Sequence, residues 1–297
     1  MESELTSHHE PSAAVEGGQL YVVSTPIGNM GDFSFRAAAV LREADLILAE
    51  DTRHSRRLLD RYEVRTPLLA HHEHNEARTT PRVIARLQAG EAVALVSDAG
   101  TPLLSDPGAR LVRACADAGI RVVPVPGASA LLAALVASAI EAERFTFYGF
   151  LPRKGRDRKD LVSEIARSAH AAVVYEAPGR VADTLAELAE AGANGRLAAV
   201  ARELTKQYEE IRRGTVGELA AYYAAAAPRG EVVLVVSGAA AAEASADDDT
   251  VRARVQALRA DGLSPRDVAA RLATELGLSR NAAYRAAQQA GDESEED

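Results

Sequence analysis

The stretch Ala92-Val93-Ala94-Leu95-Val96-Ser97-Asp98-Ala99-Gly100-Thr101-Pro102 decides the fold. An unbroken apolar run, Ala92–Val96, passes at once into small residues, a carboxylate, a glycine and a proline. Apolar residues on both sides of a short run predict a strand buried on both faces, as strands of parallel sheets are. Working outward, Leu20–Ser24, Leu46–Ala49 and Val122–Val125 repeat the pattern. Phe35–Ala44, Thr52–Arg61, Arg82–Ala89 and Ala109–Ala118 read as helices. This alternation predicts a largely parallel α/β sheet, with ligand-binding loops gathered at the carboxyl ends of its strands.

Further along, Phe145–Phe147, Ala172–Tyr175, Ala198–Arg202, Ile211–Gly214 and Val232–Val236 read as strands of a second α/β unit. Its helices fit Leu161–Ser168, Val181–Ala191 and Val216–Ala226, and the helix-free step from Ala198–Arg202 to Ile211–Gly214 predicts an antiparallel pair. The expected organisation is a disordered N-terminus (1–17), two α/β domains (18–127 and 128–240) and a linker (241–249). A helical module (250–290) and an acidic tail (291–297) complete it. In the module, Val251, Val255 and Leu258 share a face. Ser264-Pro265 makes a capped helix start, Val268, Leu272 and Leu276 continue the stripe, Gly277 ends it, and Ser279 caps a last helix with Ala283, Tyr284 and Ala287. Two such helices resemble a helix-turn-helix.

The net charge of −9 opposes nucleic-acid binding, yet Asp247, Asp248, Asp249, Asp292, Glu293, Glu295, Glu296 and Asp297 account for nearly all of it. The remaining chain is close to balanced and leaves room for a local basic surface. Lys154, Lys159 and Lys206 are its only lysines, so arginine must supply most anion recognition. The single cysteine, Cys115, excludes an internal disulfide and a cysteine-based zinc site. No signal-peptide pattern opens the chain, and the apolar stretch Ala128–Ile140 is too short to span a bilayer, so a cytoplasmic protein without membrane association is expected.

Four strand-end loops are unusual for plain connectors. Ser24–Asn29 carries Pro26 and Gly28, which set a tight turn with accessible backbone; an ordinary strand–helix turn fits equally. Glu50-Asp51-Thr52-Arg53-His54 groups acids with cations, or serves only to cap a helix through Asp51 or Thr52. In Ser97–Pro102, Asp98 is placed to accept hydrogen bonds from a ligand, whereas Asp106-Pro107 nearby reads as a helix start with Asp106 as its cap. Val125–Ala130 lies where the two units join, a common ligand position; a capped helix explains it too. His71, His72 and His74 share a loop without the helical spacing of a metal site, and no metal is expected. Arg153, Lys154, Arg156, Arg158 and Lys159 form the densest basic cluster, read as a loop gripping RNA phosphates or as a solvated helix start.

The motifs taken together are more specific. Thr25–Asn29 (TPIGN), Ala49–Arg53 (AEDTR), His71–Glu76 (HHEHNE), Ser97–Pro102 (SDAGTP), Asp106–Gly108 (DPG), Val123–Ala130 (VPVPGASA), Gly149–Gly155 (GFLPRKG), Tyr175–Arg180 (YEAPGR) and Ala201–Lys206 (ARELTK) occur in that order. The series resembles the RsmI-type, ribosomal RNA branch of the tetrapyrrole-methylase-like family over roughly residues 18 to 240. The resemblance implies two α/β domains holding S-adenosylmethionine in the interdomain cleft, a homodimer, and 2′-O-methylation of a cytidine, conventionally 1402, in 16S rRNA of the small ribosomal subunit. Carried over residue by residue, the donor pocket comprises Val96, Ser97, Asp98, Thr101, Ser129, Ala130, Tyr175 or Glu176, and Leu204, with Pro26 and Gly28 in the first loop. Tetrapyrrole-modifying relatives carry GxGPGD and GDP where this chain has TPIGN and SDAGTP, which disfavours a porphyrinoid acceptor. Gly179 stands where many members of the ribosomal branch have histidine, so no role for that imidazole transfers.

Methyl transfer to a ribose hydroxyl needs alignment of the reactants and relief of the hydroxyl proton. Glu50, Asp51, His74, or a Lys206 whose pKa burial has lowered, are the candidate bases, and spacing does not choose among them. Arg53 joins the basic cluster as an expected RNA contact. Two other readings are a methyltransferase for a tetrapyrrole or another small molecule, and a helix-turn-helix regulator with a nucleotide-sensing α/β part.

Overall fold

In the computed structural model, residues 15–239, 248–276, 278 and 283–288 are described. The first sheet joins β1 (Leu20–Val23), β2 (Leu46–Ala49), β3 (Leu68–Ala70), β4 (Val93–Val96) and β5 (Val122–Val125) in the order β3-β2-β4-β1-β5, every pair parallel. The two-residue period of a strand sends alternate side chains to opposite faces. Tyr21, Val23, Ala94 and Val96 therefore join the core under α1 (Phe35–Glu43) and α2 (Thr52–Arg61). Leu20, Val93 and Leu95 join the one under α3 (Glu76–Gln88) and α4 (Ala109–Asp117). The edge strand β5 is only partly covered and exposes Pro124.

Helix α3 starts six residues before the expected Arg82 and contains Pro81. Its first residue, Glu76, reaches across to accept the amides of Arg110 (3.0 Å) and Leu111 (3.3 Å), satisfying donors at the start of α4. Val15–Gly17, expected to be disordered, are held: Val15 packs on the first core and the Glu16 amide donates to the Tyr21 hydroxyl at 2.7 Å.

Helix α5 (Ala130–Ala137) leads into the second sheet. This sheet has the order β6-β7-β10-β8-β9, formed by β6 (Phe145–Phe150), β7 (Ala171–Glu176), β8 (Leu197–Arg202), β9 (Glu210–Thr215) and β10 (Val232–Val236). Only β6 and β7 run parallel, and β8–β9 is the expected antiparallel pair. Val232, Leu234 and Val236 pack with α6 (Arg156–Arg167), α7 (Val181–Leu188) and α8 (Val216–Ala225), while Val233 and Val235 meet α5. Toward the C-terminus, α9 (Asp248–Ala260), α10 (Pro265–Glu275) and helix 283–288 share a small core of Val255, Leu258, Val268, Leu272, Ala283 and Ala287. Ser264 caps α10 by accepting the Asp267 amide. Gly277 and Ser279, expected to stop one helix and cap the next, lie outside the described residues.

The same alternation corrects two expectations. On β7, Tyr175 falls on the α5 face and Glu176 on the opposite one, where its carboxylate is fully buried among Arg158, Arg180 and Thr184. Helix α6 begins at Arg156, earlier than the expected Leu161, and Arg158, Val162, Ile165 and Ala166 form its buried face. Arg158 is therefore no phosphate-gripping loop residue. It is 5% exposed, donates to Thr184 Oγ1 at 2.9 Å and pairs with Glu187 at 2.9 Å. A buried ion pair that loses one member leaves the other uncompensated. Arg158→Ala should destabilise the protein by about 3 kcal/mol in urea denaturation, by this argument for a broken buried pair.

Candidate functional site

The carboxyl ends of β1 and β4 are stitched together. Thr25 N donates to Gly100 O (2.8 Å), Gly100 N returns to Thr25 O (3.1 Å), and Thr25 Oγ1 reaches Ser97 O (3.2 Å). Gly100 does this at φ +82°, a backbone state that suits glycine. Ser24 and Thr101 hydroxyls lie 3.1 Å apart, and Thr101 donates on to Ala128 O at 3.2 Å, linking in the loop before α5. From the other domain, the β8–β9 connection crosses over: Asn29 N donates to Thr205 Oγ1 at 3.0 Å. Gly28 is packed so closely on Leu204, Thr205 and Lys206 that a Cβ there would collide with the lysine side chain.

Two cavities flank this junction. The first, about 330 Å³, lies between the domains and is walled by Thr101, Leu104, Asp106, Ser129, Ala130, Phe150, Tyr175 and Leu204. The second, about 260 Å³, is formed by Thr25, Pro26, Gly28, Ser97, Lys206 and the α2 residues His54, Arg57 and Leu58. Ile27, Asp98, Ala99 and Glu231 belong to both. Of the expected donor-pocket residues, Asp98, Thr101, Ser129, Ala130, Tyr175 and Leu204 thus line the interdomain cavity. Glu176 touches its wall with its carboxylate turned away, as described above. Pro26, Gly28 and Ser97 belong to the neighbouring cavity, and Val96 lies buried beneath, in neither.

The charge of the interdomain cavity is one-sided. The carboxylates of Asp98, Asp106 and Glu231 line it, and among the described residues no lysine or arginine does. Asp106 is a correction: α4 begins after Gly108, so Asp106 caps no helix and faces the cavity instead. Burial, then the nearby Glu50 and Asp98 charges, push its carboxyl up to about 6 against a hydrogen bond from Ser97. Glu50 is itself raised, first by burial and then by Asp98, but lines neither cavity. Asp51 caps α2, accepting the Arg53 and His54 amides at 2.8 and 3.3 Å, and these bonds lower its pKa. Its own amide donates to Asp98 Oδ1 at 3.1 Å.

Lys206 enters the second cavity, and its ammonium bonds Glu203 (2.9 Å) and Glu231 (3.0 Å). Burial works to lower its pKa, but those two carboxylates outweigh it and the pKa is raised. The condition under which Lys206 was expected to act as a base is not met. His71 is buried against Thr79 (2.8 Å) with a lowered pKa caused by burial, and His74 is exposed; neither lines either of these two cavities.

A cavity between two α/β sheets, closed by the loops after β1, β4 and β5, defines a class of protein. A family model described as Tetrapyrrole (Corrin/Porphyrin) Methylases matches residues 19–220. The chain belongs to that family. Within it, the chain is 44% identical over 268 residues to Ribosomal RNA small subunit methyltransferase I of Synechocystis sp. (90% of this chain, 96% of the relative). It is 48% identical to the protein of that name from Xylella fastidiosa (90% and 98%), and 43% identical to that from Escherichia coli O157:H7 (92% and 96%). Among solved structures, diphthine synthase superposes with a TM-score of 0.59 at 14% identity, covering 74% of this chain and 90% of that one. A uroporphyrin-III C-methyltransferase from Thermus thermophilus, complexed with S-adenosylhomocysteine, gives 0.55 at 18% identity (74% and 97%). At such identities these two show the shared fold alone.

The raised Asp106 carboxyl has a signed consequence. A carboxylate whose folded pKa exceeds its unfolded value favours the folded state below the unfolded pKa and loses that contribution as pH rises through the folded one. Asp106→Asn should therefore leave stability near pH 3.5 unchanged and gain on the order of 1 kcal/mol over wild type by pH 7.5, after allowance for solvent screening. The gap should open between the ordinary carboxylate value and about 6. Melting temperatures across that range test it; a gap independent of pH would contradict the assignment.

Proposed function

We propose that the protein methylates small-subunit ribosomal RNA in the cytoplasm, using S-adenosylmethionine to place a methyl group on the 2′-oxygen of a cytidine, position 1402 of 16S rRNA. The observation that carries this reading is the pair of adjoining cavities sharing Asp98, one whose charged side chains are acids and one that Arg57 and Lys206 also line. Relatives at 43–48% identity over nine-tenths of the chain bear a ribosomal RNA methyltransferase name, which favours RNA over a tetrapyrrole as acceptor.

The residues present fit the donor. Its sulfonium and ammonium are cationic, and Asp98 and Asp106 complement them in a cavity without basic side chains. Ile27, Leu104, Phe150 and Val233 offer apolar wall for an adenine, at a volume near the lower end of small-molecule sites. When bound, S-adenosylmethionine supplies an electrophilic methyl group, leaving as the neutral thioether. The chain's task is to hold the acceptor oxygen in line with it, and such positioning is worth several kcal/mol of barrier. Lys206, held charged by Glu203 and Glu231, would stabilise the negative charge that develops on the acceptor oxygen as its proton passes to water. One oxygen of Asp98 is anchored to the Asp51 amide, leaving the other for ligand. Glu50 acts behind Asp98 through its field, and Asp51 by fixing the start of α2.

A homodimer completes the reading. Helix α5 is apolar all round (ALLAALVA), and its outer face exposes Leu132 (51%) and Val136 (83%). Unpaired apolar faces of this kind mark association surfaces. Leu132→Glu/Val136→Glu should sediment as a monomer where wild type sediments as a dimer. Disrupting the gene should remove one ribose methyl group from 16S rRNA. Wild type should restore it, and Asp98→Ala should not, with donor affinity in calorimetry falling at least tenfold. Donor affinity unchanged by Asp98→Ala would remove this residue from the site; an unchanged methylation map would remove the proposed activity.

A further inference from the structure

Helix α2 carries more positive charge than its expected RNA contact, Arg53, accounts for. Arg53, His54, Arg56, Arg57 and Arg61 are all exposed, while Ser55, Leu58 and Leu59 turn inward. Its one acid, Asp60, is engaged by Arg65 at 3.3 Å. Among the described residues, Arg56, Arg57 and Arg61 form no ion pair, and Arg53 has only Asp51, at 3.8 Å. The segment 153–159, by contrast, is partly spent: Arg158 is internal and Arg156 stands 3.6 Å from Asp160.

The position of these cations matters more than their number. His54 and Arg57 form part of the wall of the 260 Å³ cavity that shares Asp98 with the donor cavity. Arg53 and Arg56 line a shallow depression beside it with Thr52 and Leu68. Residues three and four apart on a helix are neighbours about 5–6 Å apart, so Arg53, Arg56 and Arg57 form one continuous guanidinium face. That face runs outward from a cavity that Lys206 also lines. Planar guanidinium forks match phosphate geometry, and contacts to phosphate set the register of a nucleic-acid chain.

We propose that α2 is the phosphate clamp of this protein: Arg53, Arg56 and Arg57 hold the RNA backbone on either side of one extruded nucleoside, which enters the cavity bounded by His54, Arg57 and Lys206. The inference rests on the proposed RNA methyltransferase activity and names the surface that grips its acceptor. Extruding a nucleotide costs a few kcal/mol of stacking, and flanking phosphate contacts are a means of offsetting it. The clamp is sequence-blind and sets position; the cavity sets which nucleoside is taken.

The test uses full-length protein and small ribosomal subunits from a strain in which the gene is disrupted. Arg53→Ala/Arg56→Ala/Arg57→Ala should raise KM for subunits at least tenfold at 0.1 M salt. The dependence of log KM on log salt should become shallower by about 2, at roughly 0.7–0.9 per lost phosphate contact. Donor affinity in calorimetry should match wild type, which also reports correct folding. Lysine at the three positions should restore much of the salt dependence. Arg153→Ala/Lys154→Ala/Lys159→Ala is the rival surface. If that variant abolishes the salt dependence while the α2 variant keeps wild-type KM and slope, the clamp is not α2. Wild type that binds no donor and methylates no subunit defeats the proposed activity itself, an outcome distinct from an inert α2.

Discussion

The exchange of backbone hydrogen bonds between Thr25 and Gly100 is the constraint from which the site follows. It is an antiparallel contact between two loops at the end of a sheet that is otherwise parallel. Through it the loops after β1 and β4 share one frame, with Ile27 and Asp98 facing both cavities. Parallel strands with helical crossovers bring those loops to one edge, and the backbone bridge fixes their spacing once there. The second domain walls the interdomain cavity from several elements, Phe150, Tyr175 and Val233 among them, and reaches the first loop through the β8–β9 connection, in which Glu203 and Thr205 take left-handed backbone angles (φ 50° and 65°). That strain is held by bonds to Glu231 and Glu209 and lets Lys206 lie across Gly28.

Charge is sorted by depth. Carboxylates line the interdomain cavity, cations stand on the outer helices, and the net acidity of the chain resides mostly in stretches distant in sequence from both. The proposed cationic donor and polyanionic acceptor would meet opposite fields on one protein, with the Lys206 ammonium and its carboxylate partners beside the shared Asp98. A bulk charge of −9 carries none of this information, since fields at a surface are set by local grouping.

Much of the architecture was legible because both periods are strong. Leu46–Ala49, Val122–Val125, Thr52–Arg61 and Val232–Val236 are apolar or amphipathic without ambiguity and stand where sequence places them. The misplacements have particular causes. Helix α6 lacks a side-chain cap, its N-cap being Gly155, so the sequence does not separate a loop from a solvated helix start there, and neither reading expects the buried Arg158. Asp106-Pro107 looks like a helix start, but Gly108 holds a positive φ of 121° as the N-cap, so the helix begins at Ala109. Gly230 and Glu231 enter the cavity ahead of β10 with no motif to mark them, whereas the two-residue strand period by itself separates Tyr175 from Glu176.

The two margins of the parallel sheet bear on how this chain behaves when crowded. On one side β3 is a strand of three residues; on the other, β5 carries Pro124, which has no amide proton to offer a newcomer. Short or proline-bearing margins are poor templates for runaway strand addition. Concentrated protein of this kind resists growing into fibrils from that sheet.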